Sequence, residues 1–444
     1  MKNKLTYFLC KKSWLLLALF FISSCSDGDI VKHPGVTNKY DPSKPQKLTG
    51  FIPESGGIGD KIVLQGNFSD DPSAIKVFFA GNREANIIST DGSSIYCLVP
   101  KQPGGDNSVT VMVGDKELTT DKTFAYEQIQ KVSTICGTYN KSEFKDGSLY
   151  EALFNDVVGI NVVADDNVIA VETHSSRVRL ISQTDNTVTT IMQGLCTGKP
   201  AVNKARDKMY FVELFANSGK VYLLRRENNW GPELIRGNIP ELAGGEQWSC
   251  ALDNSEKYLY VRNHTGMFVR VCLEEKDDAG QLKVETIINK SSGYSWGATY
   301  NYIVHSPVED CFYTSDDWTH VIHRVYQDQL GVWQIEEYAG IMNSPGHVDG
   351  ERKDAKFQWL SGMTVDSEGN LYVVDVGSFS IRKISYPEGI VTTIAGGNES
   401  KDTEFDGLPL EASFRGLRDI AVDSEDNFYI AGGNAYNVRK LAIE

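Results

Sequence analysis

The stretch from Gly362 to Gly397 reads GMTVDSEGNLYVVDVGSFSIRKISYPEGIVTTIAGG, and it decides the fold of most of the chain. Turn residues such as Gly369 and Asn370 divide it into short apolar runs at 363–365, 371–374, 381–384 and 391–394. Short apolar runs bounded by Gly, Asn, Asp and Pro predict β-strands. Four such strands in a row predict one antiparallel sheet, the blade of a β-propeller.

The region 128–444 repeats this unit. A linking motif, Asp-Gly followed by Ala-x-Phe with the Phe seven residues beyond the Gly, occurs at Asp146–Phe154, Asp349–Phe357 and Asp406–Phe414. Weaker repeats occupy 160–192, 201–235, 250–288 and 302–338, and the last unit, 420–443, has only three strands. Val132–Gly137 reads like Val391–Gly396, so we expect it to supply the missing strand and close the ring. This predicts an all-β propeller of six blades, with seven as the alternative.

The blade pattern resembles the NHL-repeat family, whose units read as strand, D-x-x-G-N, strand, R-I-R-K-I, strand. Asp366–Asn370 and Ile381–Ile384 match closely, and Val178–Ile181 and Val438–Leu441 match well. The second, third and fourth blades depart from the pattern, so we expect specialised function there. Some propellers of this type bind RNA.

The segment 46–127 predicts a separate small domain. Its β-rich runs are Ile62–Leu64, Ile75–Phe79, Ile95–Val99 and Val109–Val113. About 80 residues with this spacing predict an antiparallel sandwich. The glycine and turn positions at Gly56–Asp60, Gly66–Phe68 and Val77–Gly81 resemble the IPT/TIG family. That resemblance implies an Ig-like β-sandwich used as a spacer or interaction module, without catalysis.

The N-terminus predicts export. Four lysines precede a short apolar run, 13–22, that is too short to span a bilayer, so residues 1–24 are predicted to be a cleaved signal peptide. Ile22–Cys25 resembles a bacterial lipobox, which implies lipidation of Cys25; an ordinary secretory signal with a chance cysteine is the alternative. Residues 25–45 read as a flexible tether.

The tether begins with an acidic stretch, Ser26–Asp29, that resembles the surface-export signal of lipoproteins in Gram-negative glycan-degrading bacteria. The resemblance implies an outer-membrane, lipid-anchored protein facing outward from the cell surface. A solvated linker of ordinary composition is the alternative.

The charge excludes one class of partner. The chain carries a formal net charge of -15, and without residues 1–24, which hold four lysines and no acidic residue, the charge is -19. Such a surface repels nucleic acid and anionic membranes, so we expect no nucleic-acid partner and membrane contact only through the lipid.

The six cysteines beyond Cys25 show no zinc spacing, and no metal or cofactor is predicted. Their disulfide state stays open.

Aromatic side chains gather at one predicted end of the propeller channel. They lie in loops that lead into the innermost strand or follow the second strand. These loops contain His174, Phe215, Trp248, His264, Trp296, Tyr300, Trp318, Trp359, Phe379 and Tyr436. Sugar rings stack on such aromatics while polar groups bond their hydroxyls. The predicted ligand-binding residues are Trp248, Trp296, Tyr300, Trp318, Trp359, Phe379 and Tyr436. The alternative for any single residue is packing between blades.

Two further motifs carry little weight. Gly293–Gly297 fits G-x-S-x-G, but the nucleophile elbow needs a strand–turn–helix setting and none is predicted there. Asp316–His323 suggests a zinc or calcium cluster, yet His320 and His323 would point to opposite faces of a strand. Only if the segment is a loop would the two side chains converge. No catalytic residue is therefore assigned.

The whole layout resembles lipoproteins encoded beside starch-utilisation-type uptake systems. The resemblance implies a cell-surface glycan-binding protein that hands oligosaccharide or polysaccharide to an outer-membrane transporter. One alternative is a polysaccharide lyase or glycoside hydrolase acting at the channel. Another is an interaction scaffold that docks on the transporter or on a host protein. The sequence favours a binding protein over an enzyme.

Overall fold

The computed structural model describes residues 39–127, 130–214, 219–289, 300–397 and 403–443. The chain divides into two compact units, with the boundary after residue 127. In the described ranges the helices are 3-10 turns of three residues each, at Pro72–Ala74, Ala164–Asp166, Arg226–Asn228 and Pro240–Leu242. No helix in these ranges has the length and apolar character needed to cross a membrane.

The first unit is a two-sheet sandwich. Its strands are β1 (Lys47–Ile52), β2 (Ser55–Gly56), β3 (Lys61–Asn67), β4 (Ile75–Phe79), β5 (Arg83–Glu84), β6 (Asn86–Thr90), β7 (Ser94–Leu98), β8 (Gly105–Val113) and β9 (Lys116–Tyr126). One sheet has the order β1-β3-β7-β6 and the other β2-β9-β8-β4-β5. Alternate residues of the strands point inward, and Phe51, Phe79 and Phe124 meet in the core, with the last two edge to face at 5.5 Å.

The second unit is a β-propeller. It starts with β10 (Gln130–Gly137), which belongs to the last blade. Blade 1 contains β11 (Val157–Val162), β12 (Val168–Glu172), β13 (Arg177–Ser182) and β14 (Thr187–Gln193). Blade 2 contains β15 (Ala201–Val202), β16 (Lys208–Val212), β17 (Val221–Arg225) and β18 (Pro232–Arg236). Blade 3 contains β19 (Cys250–Leu252), β20 (Tyr258–Arg262), β21 (Phe268–Lys276) and β22 (Leu282–Ile288).

The remaining blades complete the unit. Blade 4 contains β23 (Ile303–Ser306), β24 (Cys311–Asp316), β25 (Val321–Gln327) and β26 (Trp333–Ala339). Blade 5 contains the short β27 (Gly350–Glu351), then β28 (Leu360–Val365), β29 (Leu371–Asp375), β30 (Ser380–Ile384) and β31 (Ile390–Gly396). Blade 6 contains β32 (Asp419–Val422), β33 (Phe428–Ala431) and β34 (Asn437–Ile443), with β10 as its outer strand.

The sheets close into a ring. The innermost strands β11, β15, β19, β23, β28 and β32 contact one another in that order, and β32 contacts β11 again. Strand β10 pairs antiparallel with β34, with Val132 opposite Leu441, so the first strand of the unit completes its last sheet as the sequence predicts. Within the described part of the chain, the propeller therefore has six sheets, and this closure leaves no open edge between first and last blade.

The linking motif fastens the outer edge of a blade to its third strand. In blade 5, the Asp349 carboxylate accepts hydrogen bonds from the Thr393 amide at 2.9 Å and from the buried Arg382 at 2.6 Å. Phe357 lies under the same guanidinium, whose carbon is 5.0 Å from the ring centre. Asp146–Arg179 and Asp406–Arg439 repeat this arrangement in blades 1 and 6. The three motif copies thus mark blades 1, 5 and 6.

Blade 4 replaces this arginine with a histidine. His323 occupies the place in β25 that Arg382 has in β30, and it is buried opposite Thr314. Its electrostatic neighbours are Arg262 of blade 3, Asp316 and Lys353. Burial, reinforced by the Arg262 charge, lowers the pKa of His323 to about 4.

The buried histidine makes stability depend on pH. The folded-state pKa of His323 lies below its unfolded value of 6.5, so the unfolded chain binds this proton first as the pH falls. We expect the free energy of unfolding to decrease by about 2–3 kcal/mol between pH 7 and pH 4 from this group. Urea denaturation at several pH values checks this. The His323→Gln variant should show a shallower dependence, whereas an equal slope in both proteins would contradict the assignment.

The six cysteines of the described ranges are free thiols. They are Cys97, Cys136, Cys196, Cys250, Cys272 and Cys311, and all but Cys196 are buried. Burial raises the pKa of Cys97, Cys250 and Cys311 to about 12, which keeps these thiols protonated and unreactive. They serve as small apolar core residues.

Candidate functional site

The central channel of the propeller is closed by a buried ion pair. Lys199, just before β15, reaches across the channel to blades 5 and 6. Its ammonium donates to Met363 O at 2.9 Å, Ile420 O at 2.7 Å and the Asp419 carboxylate at 2.9 Å. Three acceptors use all three N–H donors of a lysine. The channel is therefore plugged by protein and is not an open pore.

Asp419 joins three blades through one carboxylate. It is fully buried at the start of β32, and besides Lys199 it accepts the amides of Ile160 and Ile420, both at 2.8 Å. Burial raises the pKa of Asp419, while Lys199 and the two amides oppose that shift. The close approach requires glycine at position 362, because a Cβ there would lie 2.0 Å from the Asp419 carboxylate.

A tyrosine completes the plug. Tyr302, just before β23, is buried, and its hydroxyl donates to Val158 O at 2.6 Å on the far side of the channel. Burial raises the pKa of Tyr302 well above its usual value, so the phenol stays protonated. Lys199, Asp419 and Tyr302 are thus committed to structural hydrogen bonds.

A cavity of about 300 Å³ opens at the end of the innermost strands of blades 4, 5 and 6. Its lining consists of Tyr300, Asp317, Trp318, Trp359, Leu360, Ser361, Val376 and Arg418. Trp318 and Trp359 are 66% and 56% exposed, which is unusual for the residue with the largest apolar side chain. Two exposed indoles at one cavity form an apolar platform next to charged and hydroxyl groups.

Tight turns hold both indoles outward. The carboxylate of Asp316 accepts the amides of Trp318 and Thr319, each at 3.1 Å, which fixes the turn after β24. Trp359 has a φ of +56°, and its amide donates to Nδ1 of His320 at 3.3 Å. Burial lowers the pKa of His320, which keeps this imidazole neutral and able to accept. The two tryptophan turns are therefore linked to each other through His320.

Stacked side chains form the other wall of the cavity. The guanidinium carbon of Arg418 lies 4.6 Å from the centre of the Tyr300 ring. Tyr300 also meets the Trp248 ring, with centres 4.7 Å apart and planes at 62°. The indole N–H of Trp248 donates to Glu246 at 3.0 Å. The backbone of Arg418 is fixed as well, since its carbonyl accepts Ser361 Oγ at 2.6 Å and the Gly362 amide at 2.8 Å.

The structure brings together three of the predicted site residues and separates the others. Tyr300, Trp318 and Trp359 line the cavity. Trp248 is only 3% exposed because it packs beneath Tyr300 against Val158 and Leu214, so it supports the wall without facing solvent. Phe379 and Tyr436 are half-buried outside the cavity, and Phe379 is covered by Arg415 at 4.6 Å.

The remaining predicted positions are not part of this cavity or lie outside the described ranges. His174 is exposed and pairs with Asp156, and Nδ1 of His264 accepts the Glu246 amide at 2.9 Å. Trp296, Phe215, Cys25 and the Gly293–Gly297 motif lie outside the described residues.

Comparisons with known proteins show the family to which the chain belongs. The IPT/TIG domain family matches residues 47–126, which confirms the resemblance of the first unit. A solved structure of a Bacteroides thetaiotaomicron protein of unknown function is 34% identical, with a TM-score of 0.67, over 91% of this chain and 100% of that one. This chain belongs to the same family as that protein. A search of curated proteins found no match to this chain.

More distant structures share the fold of this family. An auxiliary nutrient binding protein from Bacteroides ovatus is 24% identical, with a TM-score of 0.69, over 91% of this chain and 99% of that one. One from Bacteroides thetaiotaomicron is 23% identical, with a TM-score of 0.61, over 92% and 100%. These matches span both units, so the arrangement of a sandwich followed by a propeller recurs in Bacteroides proteins.

The Asp316–His323 segment of this family member has structural roles. Asp316 holds the Trp318 turn, His320 accepts the Trp359 amide, and His323 is buried in β25. In the parts of the chain that the structure describes, no group of His, Cys, Asp and Glu side chains is arranged to hold a metal ion.

Sequence reasoning missed the polar side chains of the site. Asp317, Ser361 and Arg418 line the cavity, and Lys199 and Asp419 close the channel. One feature of the sequence could have identified Lys199 and Asp419. A charged residue directly before or at the start of an apolar innermost strand is costly unless it is paired, so Lys199 and Asp419 could have been matched as partners.

Proposed function

We propose that this protein is a cell-surface, lipid-anchored glycan-binding protein that captures oligosaccharides for an outer-membrane uptake transporter. The observation that carries the proposal is the pair of exposed indoles, Trp318 and Trp359, at one cavity. Exposed aromatics at a cavity offer flat apolar faces to the C–H faces of sugar rings. Asp317, Ser361 and Arg418 supply acceptors and donors for hydroxyl groups in the same cavity.

The size and openness of the cavity suit a segment of a longer chain. A volume of about 300 Å³ lies at the small end of the range for ligand sites. Because the channel below is closed by Lys199 and Asp419, a glycan would lie across the propeller end and could not thread through it. The related Bacteroides structures named auxiliary nutrient binding proteins support a nutrient-binding role.

The polar groups of the channel argue against the enzymatic alternative. A general base needs a lone pair that can reach the substrate, and the three N–H donors of the Lys199 ammonium are committed to structural acceptors. Asp419 is bonded to a lysine and two amides, and the Tyr302 hydroxyl donates to a carbonyl. Lyase or hydrolase chemistry at the channel would have to disrupt these bonds.

A glycan-array screen of the mature, non-lipidated chain tests the proposal. We expect binding to a restricted set of oligosaccharides or polysaccharides, without cleavage products in the supernatant. Release of shorter or unsaturated products would favour the lyase or hydrolase. Absence of binding to every glycan would contradict the proposal and favour the interaction scaffold. Labelling of whole cells with antibody, compared with a Cys25→Ala variant, tests the surface anchor separately.

A further inference from the structure

We infer that the cavity selects acidic glycans, and that Arg418 pairs with the carboxylate or sulfate of the sugar. This inference rests on the proposed function, because it names the class of glycan that the Trp318–Trp359 cavity takes. The observation behind it is a guanidinium that lines a cavity and is held in place by an aromatic ring. Such a group offers several N–H donors in a fixed plane that matches a carboxylate or a sulfate.

Arg418 differs from the structural arginines of the propeller. Arg179, Arg382 and Arg439 are fully buried, and each forms an ion pair with the aspartate of its linking motif. Arg418 is half-exposed, and none of the ion pairs among the described residues involves it. Its guanidinium therefore has no carboxylate of the described ranges in direct contact, and a bound anion could occupy that place.

The position of Arg418 is preorganised. Its amide donates to Ala431 O at 3.0 Å, and its carbonyl accepts from Ser361 and Gly362, so the main chain is fixed on both sides. Tyr300 supports the guanidinium at 4.6 Å, in the range where a cation is attracted to an aromatic face. A side chain that is already ordered loses less entropy on binding, which raises the affinity that its hydrogen bonds provide.

The acidic side chain that lines the cavity does not cancel this preference. Asp317 is 9% exposed and lies close enough to the buried Arg262 to favour its charged form, so Arg262 offsets the charge of this carboxylate. The net charge of the protein acts over longer distances, and salt screens it beyond about 8 Å at physiological ionic strength. A direct contact between a bound anion and Arg418 is much shorter than this screening length, so the net charge of the protein affects it little. Asp317 can instead accept hydroxyl groups of the same sugar.

The test uses glycans that share a backbone and differ in the acidic group. Polygalacturonan and its fully methyl-esterified form make one set, a neutral galactan and the same galactan after chemical sulfation make a second, and β-1,4-linked mannan and polymannuronate make a third. Affinities are measured by calorimetry at low and high salt on the mature chain. We expect the acidic member of a set to bind at least tenfold more tightly than the neutral one, with an advantage that shrinks as salt increases. The carboxylate and sulfate arms identify which anion is preferred.

Variants of Arg418 test whether this residue is responsible for the preference for acidic glycans. Arg418→Gln should lower the affinity for the acidic glycan about 10- to 100-fold and change that for a neutral glycan much less. Arg418→Lys should keep part of the affinity, since it retains the charge without the planar fork. Arg352→Gln is the matched control, because Arg352 makes the same kind of contact with Tyr338, at 4.5 Å, away from the cavity. Circular dichroism and melting curves confirm that each variant folds.

The outcomes separate this inference from the proposed function. Equal affinity for neutral and acidic glycans, or unchanged acidic affinity in Arg418→Gln, would overturn the inference and leave glycan binding intact. Binding that is lost in Trp318→Ala but unaffected by Arg418→Gln would likewise overturn the inference and leave glycan binding intact. Failure of every glycan in the array to bind would overturn the proposed function and the inference together.

Discussion

Replacing Asp419 with alanine is expected to lower the free energy of unfolding of the propeller by about 3–5 kcal/mol, because it leaves the Lys199 ammonium buried without its counter-charge. The same change removes the acceptor of the Ile160 amide, which ties blade 1 to blade 6. Urea denaturation, monitored through the unfolding transition of the propeller, measures this loss of free energy of unfolding. Part of it should return in the Lys199→Met/Asp419→Ala double variant, where no buried charge stays unpaired.

The control for this prediction is Asp278→Ala, which removes an exposed carboxylate from the hairpin of blade 3. We expect this control to change stability by less than about 0.5 kcal/mol. A wild-type midpoint for Asp419→Ala would contradict the view that the buried ion pair stabilises the propeller. An Asp419→Ala variant that is no more stable after Lys199→Met is added would show that the loss has another origin.

The second large effect concerns binding. The Trp318→Ala/Trp359→Ala double variant is expected to lose at least about 100-fold in glycan affinity, because it removes both stacking surfaces of the cavity. Each single variant should lose about tenfold. Both indoles are largely exposed, so their removal costs little folded-state packing, and we expect the melting temperature to change by only a few degrees.

The sequence was sufficient to predict the architecture of the propeller. Gly362–Gly397 contains four strands with turn residues between them, and β28 to β31 follow these runs within about three residues. The closure by Val132–Gly137 was predictable because that segment repeats the outer strand of blade 5. Repetition makes such predictions strong, since several copies of one pattern support the same fold.

The site was harder to predict. Which loop aromatics face solvent depends on side-chain packing between blades, and register alone does not determine it. Trp248 and Trp359 both precede an innermost strand, yet Trp248 is covered by Tyr300 and Val158 while Trp359 is exposed. The Lys199–Asp419 pair joins residues 220 positions apart, so it becomes visible only once the ring is closed.

Isothermal titration calorimetry with the tightest glycan from the array is the most direct test of the central claim, which is that the Trp318–Trp359 cavity binds glycans. The measurement compares the wild type, the Trp318→Ala/Trp359→Ala variant and a Tyr150→Ala control, whose ring is 96% exposed outside this cavity. We predict that the control binds like the wild type and that the double variant loses at least about 100-fold. Wild-type affinity in a folded double variant would contradict the claim.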